Sequence, residues 1–310
     1  AATAASSAPP TAAAGASWAM PVGAVEDARA GVQTETIWLS DWNAGQGEPA
    51  PGAVAPRLTV LEETADGLLI SLELPAIQIE PVQMDGVTYQ ALGIEGGNAR
   101  GELGEPMLPT FSRFVQIPAR SGVQIEVVAT ETVELSGILP LPSQPDVVEP
   151  GGSPEFVRND AIYARNGYDD RPQASVGEPG LARDLRLVAV TFSPVRCNPA
   201  AETIEVARRM EVRVSFAGED LRNVPSRQHQ TIPASFDKMY RELVVNYAGP
   251  RDNQTVGLGS YVIVCPSSSS IVAAVEPLAE WRARKGFDTY LATTAETGSN
   301  SSEIRSWLMN

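Results

Sequence analysis

The sequence predicts a mainly β chain: an antiparallel β-sandwich followed by the truncated start, β-α-β-α, of an α/β domain. Three observations carry this expectation. From Arg57 to Phe216 apolar residues recur at every second position, the period of a half-buried strand. Glycine and proline, 26 and 25 of 310 residues, punctuate those runs at short intervals. At Tyr261 the pattern changes to a continuous apolar run followed by a helical stripe, which is how a parallel α/β sheet reads.

The elements follow in order. Residues 1–56 are expected to be disordered or extended, and 1–17 are rich in Ala, Ser and Pro without any period. Residues 57–218 form the sandwich. Strands are expected at Arg57–Glu63, Leu68–Leu74 (after an Asp66-Gly67 turn), Val87–Leu92, Ser112–Ile117 and Gln124–Thr130, then at Leu185–Thr191 and Met210–Phe216. Between them, Leu139–Asp170 is a proline- and glycine-broken excursion of the kind that carries function or stays irregular. Residues 219–258 read as a polar connector with a short helix near Phe236–Val245. In residues 259–310, YVIVC is a buried strand and Ile271–Lys285 a helix whose apolar stripe is Ile271, Val275, Leu278 and Trp281. Pro277 should kink that helix or mark its true start, and Gly286 suits its C-terminal cap. A second strand, Phe287–Thr293, and a helix from Ser302 follow. Two strands cannot bury a parallel sheet, so this domain reads as incomplete.

Composition narrows the function. The net charge of −15 argues against nucleic acid and anionic lipid as partners, and no apolar run is long enough to span a bilayer. The imbalance sits early: residues 1–110 carry 14 acids against 3 bases, and residues 251–310 carry 6 against 5. Two cysteines and the single His229 make neither a disulfide framework nor a four-ligand zinc site, so no metal and no cofactor are expected. Acidic pairs such as Glu62-Glu63 and Asp169-Asp170 lack calcium-loop spacing and read as solvated turns or strand edges. Cys265 ends the first parallel strand, where α/β proteins place functional groups, but it reads better as a small core hydrophobe. A Cys265–His229 dyad would need an orienting carboxylate that the polar connector does not offer. The residues alone therefore yield no catalytic constellation.

A resemblance adds what the pattern does not. Gly104-Glu105-Pro106-Met107-Leu108-Pro109 followed by FSRFVQIP, together with LLISLELPAIQIEPVQMDGVTYQAL, EFVRNDAIYARNGY and LRLVAVTFSPVRCNPAAETIEVARRMEVRVSF, resembles the propeptide of gingipain-family cysteine peptidases across about Leu58–Gly218. Cys197 stands where that family would have an aromatic. The run Glu276-Pro277-Leu278-Ala279-Glu280-Trp281-Arg282 and on to Lys285-Gly286-Phe287 is similar to the start of the family's caspase-like catalytic domain.

The resemblance implies a secreted bacterial precursor, at the cell surface or outside the cell. Its propeptide would assist folding and keep a cysteine endopeptidase latent by covering the active site, so its partner is the catalytic domain of the same chain. Protein substrates would belong to the full-length parent, and the catalytic cysteine and histidine would lie beyond Asn310, leaving this chain alone inactive. In the family a basic propeptide residue enters the specificity pocket. Arg158, Arg165 and Arg100 are the candidates, each against the plainer reading of a solvated arginine. A guanidinium there would satisfy a buried carboxylate as a substrate side chain does. Arg251, in the connector, is the candidate processing site. The competing reading is a non-catalytic extracellular β-sandwich binding module.

Overall fold

The computed structural model describes residues 34–39, 54–145, 155–226, 231–250 and 255–309. The expected disorder of residues 1–17 lies outside them, as do His229 and Arg251. Two compact units emerge: the described residues up to Gly180 with Leu187–Asn223, and Leu181–Arg186 with those from Val224 onward.

The chain begins with β1 (Glu35–Trp38), β2 (Arg57–Thr64), β3 (Gly67–Glu73), β4 (Ala76–Met84), β5 (Val87–Gly93), β6 (Asn98–Arg100), β7 (Leu108–Gln116) and β8 (Ser121–Ser136). Then come α1 (Asp160–Tyr163), β9 (Ala174–Val176), β10 (Gly180–Ala182), β11 (Leu185–Phe192), β12 (Val195–Asn198) and β13 (Thr203–Glu219). In the first unit β13 is the spine of one antiparallel sheet. β8 pairs along one of its edges, while β12 and β3 share the other end to end, and β2 lies outside β3. A second antiparallel sheet has β7 between β6 and β11, with β9 outside β11. A third runs β1-β4-β5.

The alternation seen in the sequence is what fills the core. Leu68, Ile70 and Leu72 of β3, Met210, Val212 and Val214 of β13, Val188, Val190 and Phe192 of β11, and Phe111 and Val115 of β7 are all at most 2% exposed. Burying a side chain of this size contributes roughly 1.5–3 kcal/mol. The β2–β3 turn needs Gly67 for a spatial reason: a Cβ there would collide with the Val214 carbonyl oxygen on β13.

Several strands exceed what the pattern showed, β4 and β13 among them. β4 was not expected, because Pro81 interrupts its run. The register accounts for this: the described pairing with β1 ends at Ile79, and among the described residues Pro81 has a strand neighbour on one side, Gln90 of β5. A proline without its N–H is tolerated at such an edge. β13 is 17 residues long, not seven, because a bulge at Arg208 breaks the alternation between Ala207 and Arg209.

The second unit continues with β14 (Thr231–Pro233), α2 (Ala234–Leu243), β15 (Thr255–Gly257), β16 (Ser260–Cys265), α3 (Ser269–Arg284), β17 (Asp288–Thr293), α4 (Thr294–Thr297) and α5 (Ser301–Met309). β14 and β15 pair in parallel. The Tyr240 hydroxyl of α2 donates to the Ala182 carbonyl at 2.6 Å, and Arg183 donates to the Thr231 carbonyl at 3.2 Å. β16 and β17 pair in parallel from Ser260↔Asp288 to Cys265↔Thr293, joined by α3. That helix continues through Pro277, which lies inside it and not at its start, and which cannot donate a backbone bond there. It closes with Lys285 and Gly286 bonded back into its last turn, Gly286 at φ +90°. The expected apolar stripe is not the packed face. Ile271, Leu278 and Trp281 are exposed, and the half-buried positions are Val272, Val275, Ala279 and Arg282. Arg282 decides that phase: its guanidinium lies 4.5 Å over the Tyr261 ring and 5.7 Å over Phe287.

Candidate functional site

The Gly104-Glu105-Pro106 motif is the place where the long excursion of the first unit docks. Gly104 has φ +78°, and a Cβ on it would meet the Asn159 backbone nitrogen at 3.0 Å and the Arg158 carbonyl carbon at 3.3 Å. The motif needs a glycine here because another stretch of backbone lies against it. Hydrogen bonds complete the seat. Gly104 N donates to Ser143 O and Ser143 N to Glu105 O, both at 2.8 Å, Met107 N donates to Leu141 O at 2.9 Å, and Asn159 N donates to Gly104 O at 2.8 Å.

From that seat the chain enters α1, capped by Asn159, whose side chain accepts from Ile162 N. Tyr163 turns inward. Its ring meets Tyr89 edge-on with centroids 6.2 Å apart, and its hydroxyl donates to Pro140 O at 2.7 Å. Burial raises its pKa well above the usual tyrosine range. The cluster of Val82, Tyr89, Ala91, Leu141 and Tyr163 holds the excursion onto the β4–β5 hairpin.

Beyond α1 the excursion is locked again. Asp169 accepts from Arg171 Nε at 3.0 Å and from Cys197 N at 2.8 Å, and Arg171 also donates to Pro106 O at 3.3 Å. Burial by itself would raise the Asp169 carboxyl, but the Arg171 guanidinium and the Cys197 amide outweigh it and hold it below the usual carboxylate range. Asp169 is thus not the solvated turn residue expected: its side chain is 16% exposed. Burial pushes the Cys197 thiol up to about 12, so it is a packed thiol without nucleophilic character.

The three candidate arginines separate on this frame. Arg158 is held: its Nε pairs with Asp160 at 2.7 Å, its Nη1 donates to the Tyr89 hydroxyl at 3.0 Å, and its guanidinium lies 5.2 Å over the Tyr163 ring. Arg165, just past α1, is exposed, and its guanidinium has no partner among the described residues. It rims a hollow of about 200 Å³ with Glu105, Asp169, Asp170 and Arg171. Arg100, at the end of β6, is likewise exposed, on a groove of about 540 Å³ whose lining includes Glu102, Glu105, Asp169 and Arg171. Glu105, Asp169 and Arg171 line both hollows, so Arg165 and Arg100 flank one ridge. The roles of Arg171 and Tyr89 were not legible in the sequence, because the Pro106 carbonyl that Arg171 reaches and the Arg158 guanidinium that Tyr89 accepts from are 65 and 69 positions away. Arg251 and His229 lie outside the described residues.

Cys265 is buried at the end of β16, and both cysteines are free. Among the described residues no group of three or more His, Cys, Asp or Glu side chains could hold a metal.

Comparison with known proteins agrees with this architecture. The profile of the Propeptide_C25 family matches residues 51–250. Lys-gingipain of Porphyromonas gingivalis strain ATCC 33277 is 25% identical over 250 residues, covering 77% of this chain but 14% of that protein. Gingipain R2 of strain W83 is 23% identical over 259 residues, covering 81% of this chain and 34% of that protein. The chain therefore spans a minor part of the length of these relatives. A solved structure bearing on the zymogenic latency of gingipain K of the same organism superposes with a TM-score of 0.51 at 25% identity, covering 60% of this chain and 100% of that one. A complex of the P. gingivalis RgpB pro- and mature domains superposes with a TM-score of 0.52 at 23% identity, covering 61% and 96%, and supports the fold.

Proposed function

Because the chain belongs to the Propeptide_C25 family, a gingipain-type propeptide, we propose that its sandwich, residues 57–218, assists the folding of a secreted cysteine endopeptidase and keeps it latent by covering the active site. The observation that carries this reading is the match of 60% of the chain to the gingipain K latency structure. Residues 259–310 would open the caspase-like catalytic domain, the partner of the propeptide, with its cysteine and histidine supplied outside this sequence. Location outside the cell or on its surface follows from the same reading. No helix among the described residues is long and apolar enough to cross a membrane.

Among the candidate basic residues, Arg165 is the best suited to enter a specificity pocket. It is exposed and unpartnered on a docked segment, so it gives up no contact on leaving its own surface, whereas Arg158 would forfeit Asp160 and Tyr89. Arg100 is the next candidate: it too is exposed, on a groove whose lining, like that of the Arg165 hollow, includes three acidic side chains. The connector 219–258 would hold the processing region, with Arg251 the site to examine first.

The test adds this chain to Lys-gingipain and to Gingipain R2 and follows peptide hydrolysis. Inhibition is expected, and Arg165→Ala should weaken it about ten- to hundredfold, the loss of one or two charge-assisted hydrogen bonds. Arg158→Ala should act mainly on stability. A wild-type chain without effect on either enzyme would sink the latency reading.

A further inference from the structure

The excursion has one closure that neither the family motif nor the arginines explain, and it is made by a single side chain. Gln144 Nε2 donates to the Val157 carbonyl at 2.8 Å, and the Val157 N–H donates back to Gln144 Oε1 at 3.0 Å. The same Nε2 lies 3.1 Å from Pro142 O and 3.3 Å from Ser143 O. A glutamine amide has the donor and acceptor of a peptide group, so this two-way contact pairs as two backbone segments would, with a side chain as one partner. It joins residues thirteen apart. Two residues on, Asn159 N reaches Gly104 O, so the segment is gripped on the excursion's own stem and on the motif. Downstream of both grips stand α1 and Arg165.

We propose that Gln144 is the positioning residue of the inhibitory segment. Its amide fixes Val157 against the 142–144 stem, and through the segment Val157–Arg171 sets the reach of Arg165. The proposal rests on the latency reading of that segment. No other residue type supplies the same pair of bonds from this position. Glutamate loses the donors and turns a carboxylate toward three carbonyl oxygens, asparagine is one methylene short, and methionine keeps the bulk without either bond.

The experiment uses the full chain with Gln144→Met and Gln144→Glu, the methionine variant guarding against a failure to fold. Amide hydrogen exchange is followed at Val157 and Asn159, with β13 amides as the internal reference. Exchange at both should rise at least about tenfold while the β13 amides hold. Inhibition of Lys-gingipain or Gingipain R2 should weaken about tenfold in each variant. In the Arg165→Ala background the same change should add little, because the residue it positions is gone. Unchanged exchange overturns the proposal, as does faster exchange with undiminished inhibition, or a loss that adds in full to that of Arg165→Ala. A wild-type chain that inhibits neither enzyme overturns the latency reading, and the positioning role with it. In that case the exchange data still decide whether Gln144 holds Val157.

Discussion

The two units put similar apolar residues to different use. In the first, alternating valines, leucines and isoleucines disappear: Ile70, Val212, Val214 and Phe192 are each 0% exposed. In the second, Val262 on β16 is 40% exposed, Tyr290 on β17 50%, and Leu278 and Trp281 on α3 44% and 46%. The sandwich has sheets enough to cover its own faces. The parallel pair β16–β17 has one helix between its strands and leaves apolar surface open among the described residues. Parallel strands draw their stability from cover on both faces. The stability of the chain therefore belongs to its β unit, and the α/β segment depends on packing for which it has few partners here.

Substitutions can break or sharpen that contrast. The largest effect is expected from Phe192→Ala, which opens a cavity at a fully buried position of β11 and should lower unfolding stability by about 3–5 kcal/mol in denaturant titration. Leu278→Ala on the exposed face of α3 should change it by less than about 1 kcal/mol. Equal losses at the two sites would abolish the distinction between the units.

Next comes the lock of the excursion. Asp169→Asn removes a charge that faces Arg171 and the Cys197 amide, and should lower stability by about 1–3 kcal/mol at neutral pH. The sign of its pH dependence follows from the depressed carboxyl: the stabilisation is present above the unfolded carboxylate pKa and is lost as pH falls through the lower folded value. The difference between wild type and variant should therefore be constant above about pH 5 and shrink steadily in acid, read from melting temperature against pH. A difference that grows in acid would contradict the assignment.

The smallest effect is expected at the surface. Arg120 and Glu219 pair at 3.0 Å with both side chains 64% exposed, and Arg120→Ala should change stability by no more than about 0.5 kcal/mol. A larger loss would mean that the ends of β8 and β13 are held by charge and not by their ladder.

Much of the β unit was legible because a strand's period of two is written in the residues themselves. The Leu68–Leu74 strand, the Asp66-Gly67 turn and the Leu185–Thr191 strand needed no tertiary information. β4 was hidden because Pro81 is acceptable only where one neighbour ends, and that is a fact about β1. The face of α3 was misjudged because hydropathy ranks Trp281 above Arg282, while the rings of Tyr261 and Phe287 favour the cation. The site divides in the same way. Arg158 and Arg165, in the irregular excursion, and Arg100, in a glycine-rich run, could be named as candidates but not separated, because what sets Arg158 apart is its hold on Asp160 and Tyr89.

By itself, the sequence determined the fold class and the family of the propeptide. These follow from local periodicity, turn chemistry and short motifs, all of which act between near neighbours. Only the tertiary structure decided that Gly104 is a seat for Asn159, that Asp169 is a half-buried acceptor for the Cys197 amide, and that Gln144 bonds Val157 in both directions. Those assignments depend on backbones brought together from distant parts of the chain, where a buried donor or acceptor must find a partner and hydropathy does not say which.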